Sequence, residues 1–400
     1  VSLGAQLDPA LWPAYASSAF AVARRRLRGP RRFSGDAGQI CRAIVDACWT
    51  GEYLAASGGH FRQAWTRDLG FAAPSLVRLG VEERVRASLA WMLDAWAPGG
   101  RVTTTIFPGR RPRDVWTMGI DSLPLLLLSL QVSGSDDLVR RHGVWLAPEV
   151  ARFANEAVDP TSGLVVDDRS FSTHRDTVRT RSNAYANVMA LLLDRVLRET
   201  SWFRSPIPPG TVDRFVERFW RGDRFVDRVD GGTVTGDATV APFFFGIVPD
   251  DLGLVAALRA ASAAGLADPL PLRYAAVRDR SIEDPRQARL VPDYQGTAIW
   301  TSLGAMYLCL LERAAPADAR PVIDAYRAFI EREGTVWEVL DGASADLRPY
   351  RGTMGLFVAD EAMLWAAILA ETLGGPAWSG QAGGAGDGDQ DDRHDEAQQQ

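Results

Sequence analysis

The sequence predicts an all-α fold in which six helical hairpins close into a toroid. Three observations predict it: helical periodicity covers most of the 400 residues, short turns alternate with long loops, and no linker divides the chain before Gly374. Apolar residues recur at helical spacing over 11–27, 37–50, 69–79, 82–96, 120–132, 136–157, 183–200, 211–221, 250–264, 296–314, 318–333 and 358–373. Short connections such as Leu79-Gly80-Val81, and Arg313 to Asp318 with Asp318 placed to cap the next helix, make the helices antiparallel neighbours. Between alternate helices lie six longer segments rich in Gly, Pro, Arg and aromatics: 51–68, 97–119, 158–182, 222–249, 265–295 and 334–357. Loops that long in a compact fold usually carry function. One of them, Arg101 to Phe107, has the β-branched composition of a short strand. The toroid is expected to span 1–374, and the acidic, glutamine-ended tail 375–400 is expected to be disordered because it cannot bury a core.

Composition narrows the function. The formal charge of -6 comes almost wholly from the tail, where the stretch from Asp387 to Glu396 carries six acids and one arginine. A near-neutral body argues against a nucleic-acid footprint. No apolar run is long enough to span a bilayer, and the N-terminus, broken by Asp8, Pro9 and Pro13, does not read as a signal peptide. A cytoplasmic protein is expected. Cys41, Cys48 and Cys309 offer no disulfide framework, and the four histidines show no metal-ligand spacing, so no metal is expected; a reaction run by an acid and a base together needs no organic cofactor either.

The segment Ala64-Trp65-Thr66-Arg67-Asp68-Leu69-Gly70-Phe71 and the later Met118-Gly119-Ile120-Asp121-Ser122 place an indole, a guanidinium and two carboxylates at the starts of helices. An aromatic plate and a fixed ion pair are what a pyranose site needs, one to stack the ring and one to hold its hydroxyls. Glycoside hydrolysis requires in addition two carboxyl groups flanking the scissile bond, about 6.5–9.5 Å apart for inversion. Asp121 reads either as one of them or as a helix N-cap. Glu338, in Gly334-Thr335-Val336-Trp337-Glu338-Val339-Leu340-Asp341, reads either as a solvent-facing strand residue or as a base whose apolar neighbours raise its pKa. Asp68 beside Arg67 reads as half of an ion pair, and Asp360-Glu361 as a helix start. Trp65, Trp116, Trp300 and Trp337 lie in or beside long loops, where stacking on sugar is possible; Trp91, Trp145 and Trp365 read as core.

At these residues the chain resembles the six-hairpin glycosidases, most closely the alkaline/neutral invertases and more loosely the glycogen debranching and glucoamylase-type enzymes. Trp65-Thr66-Arg67-Asp68-Leu69 resembles that family's Arg-Asp-Phe segment, and Gly119-Ile120-Asp121-Ser122 its Val-Asp-Ser-Gly step. Tyr294-Gln295-Gly296-Thr297-Ala298-Ile299-Trp300 is similar to its Tyr-His-Asn-Gly-Gly-x-Trp-Pro loop, and Val336 to Asp341 to its Trp-Pro-Glu-Tyr-Tyr-Asp. The resemblance implies an inverting glycoside hydrolase acting on a glucoside or short oligosaccharide, α-linked by the same likeness. Asp121 would be the general acid and Glu338 the general base. Trp65, Arg67 and Asp68 would grip the cleaved sugar, and Trp116, Tyr294, Gln295, Trp300 and Trp337 would line the rest. The sequence departs from the family at Gln295, at Thr301 and at Val339-Leu340, where two tyrosines are usual. Two other readings remain on the same toroid: a sugar epimerase or polysaccharide lyase, with His60 as the histidine to watch, and a non-catalytic carbohydrate-binding ring.

Overall fold

The computed structural model describes residues 16, 20, 22–25, 27–115, 117–344, 346–355 and 357–374. Most of the expected helix over 11–27, Trp116 and the tail 375–400 lie outside the described residues. From Ala37 onward twelve helices longer than one turn follow among the described residues. They are α1 (Ala37–Cys48), α2 (Thr66–Arg78), α3 (Glu82–Trp96), α4 (Ser122–Val132), α5 (Asp136–Ala157) and α6 (Ala184–Thr200). The second half contains α7 (Thr211–Phe219), α8 (Gly236–Phe244), α9 (Leu254–Ala263), α10 (Thr301–Ala314), α11 (Pro316–Glu333) and α12 (Ala366–Thr372).

Local chemistry sets several of these ends. Asp36 accepts a hydrogen bond from the Gln39 N–H at 2.8 Å while the Gln39 side chain accepts from the Asp36 N–H, a reciprocal cap for α1. Asn183 caps α6 through the Ala186 N–H at 2.7 Å. Helix α11 starts with Pro316 and stops at Gly334, whose φ of +64° suits a residue without a side chain. Asp318 therefore sits inside the first turn of α11, where its charge complements the helix dipole, and not at the cap.

The even-numbered helices form a closed inner ring. Helix α2 packs on α4, α4 on α6, α6 on α8, α8 on α10, α10 on α12, and α12 back on α2. The odd-numbered helices sit outside, each against its inner neighbours. Sequence follows this division. Every residue of α4 from Ser122 to Leu130 is buried, whereas α7 buries Phe215 and Phe219 and turns Asp213 and Glu217 outward. The inner helices approach closely: a side chain at Gly70 in α2 would stand 2.4 Å from Cβ of Leu125 in α4. Each wholly buried leucine in this ring contributes about 1.5–3 kcal/mol. Cys41 and Cys48 are fully buried members of the core and unpaired, as expected of small apolar residues.

The predicted helix set omits α8, which lies within the expected loop 222–249. Its sequence, GDATVAPFF, contains Gly236, Pro242 and β-branched residues, and it is buried on all sides, so it shows no polar stripe. Each of the six long loops leads into an inner helix, so all six converge on one face of the toroid. Short strands tie them together. Strand β1 (Ala64–Trp65) pairs with β2 (Thr105–Phe107) and β2 with β3 (Arg111–Arg113), and β4 (Ile299–Trp300) pairs antiparallel with β5 (Val339–Leu340), Trp300 opposite Val339. In a ring of six, the loop before α6 stands opposite the loop before α12. That opposition organises the site.

Candidate active site

Five of the six loops, all but the one before α8, and the first turns of α2 enclose a cavity of about 460 Å³. Among its walls are Trp65, Arg67 and Asp68 from the start of α2, His174, Asp176 and Thr177 from the loop before α6, Tyr294, Gln295 and Trp300 from the loop before α10, and Glu338 and Trp365 from the loop before α12. The cavity wall thus includes Trp65, Arg67, Asp68, Tyr294, Gln295, Trp300 and Glu338 of the expected site residues.

Glu338 is buried at 6% exposure. Tyr294 donates its hydroxyl to Oε1, and the Asp360 N–H donates to Oε2 at 3.1 Å. Burial pushes the carboxyl up to about 7, against the pull of these two hydrogen bonds. Each oxygen keeps a free lone pair for a water. Val339 and Leu340, which replace the usual tyrosines, are fully buried in β5 and leave the cavity's polar groups untouched.

Asp121 has a different position from the one its sequence suggests. It is fully buried, is not part of the cavity wall, and makes no side-chain cap to α4. Its Oδ2 accepts from Arg67 Nε at 2.6 Å and from Tyr185 at 3.0 Å, and its Oδ1 accepts from Arg67 Nη2 at 3.3 Å. The other edge of the same guanidinium reaches Asp176, Nη1 to Oδ2 at 3.0 Å. Asp176 faces the cavity with 16% of its side chain exposed, and Ser172 donates a hydrogen bond to it. One arginine therefore bridges a buried aspartate and a cavity-lining one.

Arg67 and Asp68 do not form the ion pair that their adjacency suggests, because successive helical residues point about a quarter-turn apart. Nor is the proton affinity of Asp68 ordinary: burial raises it to about 8, Arg67 lowers it, and the charge of Glu338 raises it further. Trp337 is not in the cavity wall. Glu338 points inward along an extended stretch, so Trp337 points outward. There its indole donates to Glu333 at 3.2 Å and lies under the Arg25 guanidinium at 5.0 Å. Trp365, read from sequence as helix core, immediately precedes α12 and lines the cavity, its Nε1 donating to Thr301 Oγ1 at 2.8 Å. Asp360 and Glu361 begin no helix, since α12 starts at Ala366. Asp360 is buried and accepts from Ser57 and from the N–H groups of His60 and Phe61, with His60 Nδ1 2.7 Å away. Burial opposes the charges of this pair, but the contacts outweigh it: Asp360 is lowered and His60 raised.

The loop that carries Asp176 is locked from below. Gln295 Oε1 accepts from the Thr177 N–H at 2.6 Å and its hydroxyl at 2.8 Å, while Gln295 Nε2 donates to the His174 carbonyl at 3.0 Å. Arg175 turns into the ring and donates to Asp227 at 2.6 Å, with Nε 3.2 Å from Asp237 at the start of α8. Gln295 thus spends its amide on the loop. His174 packs among Phe71, Tyr185, Tyr274 and Trp300, and burial together with Arg67 and Arg175 holds its pKa well below the ordinary histidine value. Neither Asp176 nor His174 stood out in the sequence, because Asp167, Asp168 and Asp176 share one loop and nothing local separates them.

No protein-family model matches the chain, and no curated protein matches it. Among solved structures it is similar to a glycosidase variant in complex with glucose, at 15% identity and a TM-score of 0.59 over 84% of this chain and 94% of that one. It is also similar to a wild-type glycosidase, at 16% identity and a TM-score of 0.57 over 84% and 95%. A third is the GH63 mannosylglycerate hydrolase from Thermus thermophilus in complex with glucose, at 15% identity and a TM-score of 0.56 over 84% and 99%. At such identity the likeness establishes the fold: the chain has the helical toroid architecture of these glycosidases.

Proposed function

We propose that the protein is a glycoside hydrolase that releases a glucose-type sugar by single displacement. The observation that carries the reading is the pair Asp176 and Glu338, carried by loops on opposite sides of one cavity. In this scheme Glu338 takes a proton from water as the water oxygen attacks the anomeric carbon. Asp176, oriented by Arg67 and Ser172, gives a proton to the departing glycosidic oxygen as the C–O bond breaks, and the anomeric configuration inverts. Asp121 and Asp176 share the Arg67 guanidinium, and burial raises the neighbouring Asp68 to about 8, with Arg67 lowering it and Glu338 raising it. Asp68 and Arg67 hold sugar hydroxyls, and Trp65, Trp300 and Trp365 offer ring faces to the pyranose. The acid role falls to Asp176 and not to Asp121, because Asp121 has no surface toward a substrate.

The glucose bound in similar structures supports a glucosyl unit, and the invertase likeness makes sucrose one substrate to try. The test is sugar release from a panel containing sucrose, maltose, mannosylglycerate, glucosylglycerate and alkyl glucosides of both anomers, with wild type beside Glu338→Gln. Release by wild type alone is expected, and equal release by both would contradict the proposal. The epimerase reading would need an effective base, but His60 is not a cavity-lining residue and is paired with Asp360, and His174, whose pKa is held well below the ordinary value, is a weak one. Glucose incubated in D2O is expected to gain no carbon-bound deuterium.

The pH dependence follows from Glu338. Ionisation through a pKa of about 7 must precede catalysis, so kcat/KM should rise with pH across that value and lose about tenfold per unit below it. Stability runs the opposite way. A carboxyl whose folded pKa is raised contributes stability that is fully present below its unfolded value and is lost as pH rises through about 7. Glu338→Gln should therefore be inactive yet unfold at a higher temperature than wild type at pH 8, as thermal unfolding would register.

A further inference from the structure

We propose that the outer end of this cavity receives an apolar aglycone, so that the substrates are glycosides of alkyl or aryl alcohols and not oligosaccharides or sugar conjugates of small acids. The inference rests on the hydrolase reading above and specifies its substrate. Polarity in the cavity runs from inside to outside. The ionisable groups Arg67, Asp68 and Glu338 are 5–9% exposed and Asp176 is half-buried, whereas the half-buried and exposed walls are, besides Asp176 and Gln287, the apolar Phe61, Trp65, Val115, Val291, Phe357 and Leu290, the last 57% exposed.

The one-turn helix Gln287–Leu290 shows the choice of side chain most clearly. Gln287, Leu290 and Val291 line the cavity at spacings of three and four residues, which is one helical face. Arg286 and Arg289 belong to the same turn but are not cavity-lining. A slightly different phase would have aimed an arginine inward. Met354, 87% exposed, lies on a neighbouring turn that Thr353 ties to the Arg289 carbonyl at 2.7 Å. Apolar side chains grouped at a cavity mouth mark a binding surface.

A second sugar placed there would present hydroxyls to Leu290, Val291 and Val115, which neither donate nor accept. The carboxylate of a glycerate would have Arg67 as its one cation among the described lining residues, and that guanidinium is already shared by Asp121 and Asp176. An alkyl chain or phenyl ring leaves no polar group unpaired.

The test is a series of methyl, butyl and hexyl glucosides, whose alcohols have similar leaving ability, compared with maltose, sucrose and glucosylglycerate. The expected kcat/KM rises at least about tenfold from methyl to hexyl, consistent with partial burial of the added methylenes, and Leu290→Ser lowers the hexyl-to-methyl ratio. A flat series, or faster cleavage of maltose, sucrose or glucosylglycerate, overturns the proposal. If no glycoside is cleaved, the hydrolase reading fails separately. The aglycone preference is then read by calorimetry with Glu338→Gln, where tighter binding of hexyl than methyl glucoside supports it and equal binding overturns it.

Discussion

Replacing Asp176 with Asn should lower kcat/KM for an alkyl glucoside by about 10² to 10⁴, the span associated with loss of a general acid. Asparagine keeps the shape and the hydrogen bond from Ser172 but has no acidic proton. A glycosyl fluoride, whose leaving group needs little protonation, should lose far less. Asp121→Asn should behave differently. Asp121 touches Arg67 and Tyr185 but does not itself line the cavity, so its replacement acts through displacement of Arg67. A loss of at most about 10² is expected, from misplacement, and it should be equal for good and poor leaving groups. If Asp121→Asn shows the leaving-group dependence and Asp176→Asn does not, the acid has been assigned to the wrong aspartate. Steady-state kinetics on the two substrates with the two variants decides between them.

Arg67→Leu should be the most destabilising substitution in the site, by about 3–5 kcal/mol in urea unfolding at pH 7. The guanidinium is 5% exposed and is the counter-charge to Asp121 and Asp176 together. Without it, Asp121 stays fully buried with the Tyr185 hydroxyl as its remaining partner among the contacts described. Arg67→Lys should not rescue the loss, since a point charge cannot serve two carboxylates with separate edges. Tyr185→Phe removes one hydrogen bond to a charged group and should cost about 1.5–3 kcal/mol. A cost below about 1 kcal/mol for Arg67→Leu would mean that the bridge does not hold the site together.

The ring was legible because connection length encodes it: short turns join hairpins, and long loops gather on one face. Helix α8 was not, since amphipathic periodicity reports a boundary with water and GDATVAPFF has none. Glu338 could be found in an apolar loop with a family-like neighbourhood. The acid was harder. Asp121 sits beside a helix start in a family-like step, but whether a carboxylate faces a cavity or a buried arginine is a tertiary fact. A usable signal did exist: in a six-hairpin ring the third long loop faces the sixth, so a partner for Glu338 belongs in 158–182, where Asp176 lies. Similarly, Trp337 and Trp365 exchanged roles because the strand phase fixed by Glu338 turns its neighbour outward.

The most direct measurement is time-resolved proton NMR of the first sugar anomer released from an alkyl glucoside of known configuration. Single displacement by water activated at Glu338 predicts the inverted anomer first, followed by mutarotation. First appearance of the retained anomer would contradict the account, because it would require a covalent glycosyl intermediate in place of one attack by water.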